Sequence, residues 1–242
     1  MGDGRLSPWS VAKVVMADDW FRKVTWSDAD AEDFRKRLLR ARAYNRAQYL
    51  RIQAGHLAQA SHFGAALQLL EEMVADYPDD TELSMAICQM GQCHQAMGAP
   101  EQALECYWRA IEFMRTTPSA RNRAWSDFVL LVARSRYEMR YEQALAVLDE
   151  FVGDRMFPVD YFEWHAGRAL VLSQQGHIPL AKEEAEKALA AAERDKSGFK
   201  YHPEIGLVGP KNGSLRRDME AMVNPRVSWL SRWFPVKGRP AN

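Results

Sequence analysis

The sequence predicts an all-α protein built from about four consecutive helix hairpins. Three observations carry this. A short alanine-containing pattern recurs four times, at Gly64 to Leu67, Glu101 to Leu104, Glu142 to Leu145 and Pro179 to Lys182. Around these copies apolar residues recur at three and four, as in Leu67, Leu70, Met73 and Val74, which is the helical period rather than the alternation of a strand. Breaks at Tyr77-Pro78-Asp79-Asp80, Thr117-Pro118-Ser119 and Phe157-Pro158 separate the copies.

Residues 1–43 form a leading segment in which Ser27 to Arg42 reads as a helix. Ser27 is a candidate N-cap, and acids in the first turns suit the positive end of a helix dipole. The first hairpin, 44–80, carries Leu50, Ala54, Leu57, Ala66, Leu70, Met73 and Pro78. Asp79 or Asp80 can cap the helix that follows. The second, 81–118, has Ile87, Met90, Gly91, His94, Gly98, Ala103, Tyr107 and Ala110. Phe128, Leu131, Val132, Ala144, Leu148 and Phe151 mark the third, 119–158. The fourth, 159–194, keeps Ala169, Leu172, Gly176, Ala181, Ala185 and Ala188 but sets His165 and Arg168 at apolar slots. Small residues at these offsets let two helices cross closely. Residues 195–242 begin with a loop rich in glycine and proline and end in two short helices. The second of these starts at Pro225 and bears Trp229, Trp233 and Phe234 as a cap on the last hairpin.

In the second unit Ile87, Met90, Gly91 and His94 stand where the tetratricopeptide repeat has its W-x2-L-G-x2-Y run, with Gly98 at the turn and Ala103, Tyr107 and Ala110 after it. Residues 44–194 resemble that family in degenerate form. The alanines Ala66, Ala103, Ala144 and Ala181 lie 37, 41 and 37 residues apart, above the family's period of about 34, which lengthened turns would absorb. The resemblance implies a right-handed α-solenoid with an N-terminal capping helix and a C-terminal helical cap. It also implies a peptide, helix or protein partner held in a concave groove lined by the first helix of each pair. The groove positions it supplies are Gln48, Arg51, Gln59, Cys88, Gln92, Gln95, Val129, Arg136 and Tyr137. One branch of the family clamps chaperone tails with lysine and asparagine. Here Gly55 and Gln89 replace the asparagines and Ser126 a lysine, so that clamp is not expected.

Charge supplies a second theme. No lysine or arginine lies between Arg51 and Arg109, while eight acids do; residues 1–51 hold eleven bases against seven acids. The acidic middle, with Glu71, Glu72 and Asp76, offers an alternative function as an inhibitor or immunity-type protein that neutralises a basic effector. Self-association through opposite charges is another use of the same polarity. The basic run Arg35 to Arg51 could track phosphates, but Glu32 and Asp33 lie beside it, so a nucleic-acid partner is not expected and pairing with acids of the first hairpin is. No phosphate loop, HExxH or nucleophile motif is present, so no enzymatic activity and no cofactor are expected. Cys88, Cys93 and His94 scatter over different helix faces, so no metal site is expected either. Three clustered cysteines and no long apolar run point to a cytoplasmic protein with no membrane association.

Overall fold

The computed structural model describes residues 19–78 and 81–224. Asp79, Asp80 and the aromatic segment with Trp229, Trp233 and Phe234 lie outside the described residues. Within them the chain is all-helical, with ten α-helices and no strand.

Helix α1 (Asp28–Arg40) starts at Ser27, whose hydroxyl accepts from the Asp30 backbone N–H while Asp30 reaches back to the Ser27 N–H. This reciprocal capping box stabilises by about 1 kcal/mol. Four helix pairs follow: α2 (Ala43–Gln59) with α3 (Phe63–Asp76), α4 (Leu83–Ala96) with α5 (Pro100–Thr116), α6 (Ala124–Arg134) with α7 (Tyr141–Glu150), and α8 (Pro158–Gln174) with α9 (Ile178–Ala192). From α2 to α10 each helix packs on its chain neighbours, and α2 touches α4 as α6 touches α8. Glu82 occupies the N-cap of α4, and its side chain makes no cap bond.

The same turn closes all four pairs. Ser61, Gly98, Arg136 and Gly176 are all left-handed, with φ of 66°, 75°, 55° and 84°. The residue after each donates its N–H five residues back: His62 to Leu57 (2.8 Å), Ala99 to His94 (2.9 Å), Tyr137 to Val132 (3.1 Å) and His177 to Leu172 (2.9 Å). These are Schellman C-caps, which satisfy the last carbonyls of a helix. The alanines Ala66, Ala103 and Ala181 follow their turn residues by five positions, but Ala144 follows Arg136 by eight. The three extra residues form the short 3-10 turn Glu138–Arg140.

The core is continuous along the pairs. Leu50, Leu57, Leu70 and Met73 are buried in the first, Tyr107, Ala110 and Ile111 in the second, Phe128, Val132 and Leu148 in the third, and Phe162, Ala185 and Ala188 in the fourth. Each large side chain among them contributes about 1.5–3 kcal/mol by leaving water. The two polar residues at apolar slots of α8 find specific partners. His165 Nδ1 lies 2.6 Å from Glu184 of α9, while Arg168 stacks on Trp164 and reaches Asp149 at 2.5 Å.

Past α9 the chain turns back. Gly206 accepts from the Val159 N–H at 2.9 Å, and a Cβ on Gly206 would overlap the Phe157 ring. The 3-10 turn Pro210–Asn212 then leads into α10 (Gly213–Val223), which packs on α9 and α8 through the buried Leu215 and Met219.

Candidate functional site

The first helices of the pairs, α2, α4, α6 and α8, are joined by side-chain contacts into one row. Arg51 of α2 pairs with Glu82 at the head of α4. Gln92 of α4 donates to Asp127 of α6 at 2.9 Å, and the Cys88 thiol lies 3.7 Å from the same oxygen. Ser126 of α6 donates to Glu163 of α8 at 2.6 Å, and Gln174 of α8 donates to the Ala133 carbonyl at 2.9 Å.

At the far end this row is covered by the chain's own C-terminal segment. Asn212 Nδ2 donates to Glu163 at 2.8 Å, and Arg134 pairs with Asp218 of α10 at 3.1 Å. Glu163 is 5% exposed and also pairs with Arg123. Burial opposes its charge, but Arg123 and the hydrogen bonds from Ser126 and Asn212 prevail and hold its carboxyl below the usual range. Asp127 shows the opposite balance. Burial, aided by the nearby Glu163 charge, outweighs the bond from Gln92 and pushes its carboxyl up.

At the near end, α2, α3 and α4 enclose a cleft of about 240 Å³. It is lined by Ala54, Gly55, Ala58, Phe63, Leu70 and Cys93, with Gln59, Gln89 and Gln92 as its polar groups. Gly55 lets Gln89 sit close, because a Cβ there would approach its amide to 3.3 Å. Among the described residues two buried side-chain acceptors lack a hydrogen-bond donor, Gln89 Oε1 and Asn212 Oδ1. The first lines this cleft. The second lines a cleft of about 170 Å³ between α6 and α10, beside Gln95 and Asp127. A buried acceptor without a partner costs about 1–3 kcal/mol, so both positions are suited to an arriving N–H group.

Several residues expected in the groove are elsewhere. Cys88 and Val129 are 2% and 1% exposed, and Val129 is packed so tightly on Gly167 that a Cβ there would come within 2.8 Å. Helix α6 ends at Arg134, so Arg136 and Tyr137 lie in the turn beyond it; Tyr137 donates to Glu101 at 2.7 Å. Gln48 is exposed on α2, whereas Gln59 does line the α2–α4 cleft and Gln95, which accepts from Tyr107 at 2.8 Å, lines the cleft beside α10. Of the acidic residues, Glu72 is engaged by Arg35, whereas Glu71 and Asp76 are exposed. The residues the sequence reading missed are Gln89 and Asp127. Gln89 entered only as a departure from the chaperone clamp, and its position three before Gln92 on α4 was the available signal.

Among the described residues no helix is long and apolar enough to cross a membrane. Comparison with models of known protein families and with curated protein sequences finds no match for this chain.

Proposed function

We propose that the chain is a tetratricopeptide-like α-solenoid that acts as an interaction scaffold, holding a peptide or helix of a protein partner against the α2–α4 part of its inner row. The observation that carries this reading is the cleft at Gln89, where an acceptor lacking a donor sits among small side chains. A backbone N–H of an extended segment, or a side-chain amide of a helix, supplies the missing donor, and Ala54, Gly55 and Ala58 admit its side chains. The repeated turn and the row of first helices support the solenoid, since repeats that cannot bury their faces alone stack on their neighbours. Buried, free thiols at Cys88, Cys93 and Cys106 support a reducing compartment such as the cytoplasm.

The test is affinity capture from the native cell with two baits, the natural chain and Ala58→Arg, which fills the cleft from a half-buried position. Partners retained by the natural chain and lost with Ala58→Arg support the groove. A partner set unchanged by both Ala58→Arg and Gln89→Leu refutes it.

A second reading, neutralisation of a basic effector, is favoured by Glu71 and Asp76, which stay exposed on and at the end of α3. It predicts that reversing those two charges, and not filling the cleft, abolishes capture.

A further inference from the structure

A different corner of the molecule carries its own site. The bases of α1 and early α2 are mostly neutralised: Arg35 pairs with Glu72, Lys36 with Glu32, Arg37 with Asp33 and Arg51 with Glu82. Arg40, Arg42 and Arg46 differ, having no carboxylate partner among the described residues. Arg46 is spent on the Ala41 and Leu39 carbonyls at 3.1 and 2.7 Å, and Arg42 meets the Tyr44 hydroxyl at 2.8 Å.

Arg37, Arg40 and Arg42 rim a cavity of about 730 Å³ whose wall is Trp20, Phe21 and Tyr49, with no carboxylate among the described residues of its lining. The wall is braced rather than loose. Phe21 and Tyr49 rings lie 4.6 Å apart and Trp20 and Tyr49 rings 5.1 Å apart, with Phe34 buried behind Trp20. Two apolar side chains beside the arginines are strongly exposed, Leu39 at 71% and Tyr44 at 69%. Uncompensated cations beside exposed apolar surface mark a recognition patch. Residues 1–18 carry as many bases, Arg5 and Lys13, as acids, Asp3 and Asp18.

The geometry points to a binding site for a short acidic peptide segment, its carboxylates on Arg40 and Arg42 and an apolar side chain against Trp20, Phe21 and Tyr49. The charge pattern selects this ligand over a nucleic-acid strand. A strand needs a track of cations for successive phosphates, and here the positive charge is confined to one corner because the flanking bases are already paired. The site is separate from the α2–α4 cleft, so the two are tested apart.

The probe is a fluorescein-labelled peptide, Glu-Glu-Leu-Glu-Glu-Phe, titrated by polarisation against the full chain, with its glutamine counterpart and a labelled oligothymidylate alongside. The acidic peptide is expected to bind, to weaken with salt, and to lose tenfold or more in affinity on R40E/R42E, as two charge-assisted contacts are removed. Arg40→Gln with Arg42→Gln gives a smaller loss, and Ala58→Arg none. Unfolding temperature monitors that the exposed substitutions leave the fold intact. Equal binding of the glutamine peptide, tighter binding of the oligonucleotide, or no binding of the acidic peptide below about 1 mM overturns the proposal. So does a salt-sensitive dimer that R40E/R42E dissolves while the peptide fails to bind, since the occupant is then a second copy of this chain.

Discussion

Arg136→Gly is expected to stabilise the protein although it removes a charged side chain. Arg136 holds φ at 55° in the turn between α6 and α7, and its side chain is exposed. A residue with a Cβ pays about 1–2 kcal/mol in that conformation. Glycine does not, but it gives up about 0.5–1 kcal/mol more chain entropy on folding. The balance favours glycine by about 0.5–1 kcal/mol, or about 1–4 °C in unfolding temperature for a chain of this size. Ser135→Gly, one residue earlier in the right-handed region, has no strain to relieve and lowers stability by a few tenths to about 1 kcal/mol. Urea unfolding followed by circular dichroism reads both. A destabilised Arg136→Gly, or two variants of the same sign, would refute the reading that this turn repeats the glycine caps of the second and fourth pairs.

A Cβ at Gly91 would lie 2.5 Å from Tyr107, so Gly91→Ala costs about 1–3 kcal/mol as the ring is displaced, measurable in the same unfolding assay. Glu163→Ala removes the main partner of Arg123, which is 36% exposed and keeps Asp160 at 3.9 Å, and costs about 1–3 kcal/mol. Because the folded Glu163 carboxyl is depressed, its contribution is present above the ordinary glutamate pKa and fades as pH falls through the lower folded value. Asp127 runs the other way: its raised carboxyl penalises the fold increasingly above the ordinary aspartate pKa, so the stability of Asp127→Asn relative to the natural chain rises from pH 4 to pH 7 in denaturant titrations. All three thiols are pushed up by burial, that of Cys93 to about 11. A thiol reagent at about pH 8 should therefore label none of the three in the native protein and all of them after unfolding.

Helical content was legible wherever local chemistry decides it. Ser27 and Asp30 mark the start of α1 by a capping box that needs only neighbouring residues, and Gly98 and Gly176 mark turns by the conformation that glycine alone enters freely. Ser61 and Arg136 enter the same conformation with no such mark, because the Schellman bonds of the surrounding backbone impose it. In the third pair the three residues Glu138–Arg140 also shift Ala144 out of step with its turn, so matching copies by their alanines misplaced Arg136 and Tyr137 onto a helix. The covering of α8 by Asn212 joins residues 49 positions apart and leaves no local trace. Asp127 reads as an ordinary polar residue because its surroundings, Cys88 and Gln92 of α4 and Glu163 of α8, are brought to it only by the fold.

Hydrogen exchange of the chain with and without its captured partner tests the inner-row reading most directly. Binding in the α2–α4 cleft predicts new protection in segments 50–59 and 85–95, with α3 and α10 unchanged. Protection confined to α3 around Glu71 and Asp76, with those two segments unaffected, would contradict it.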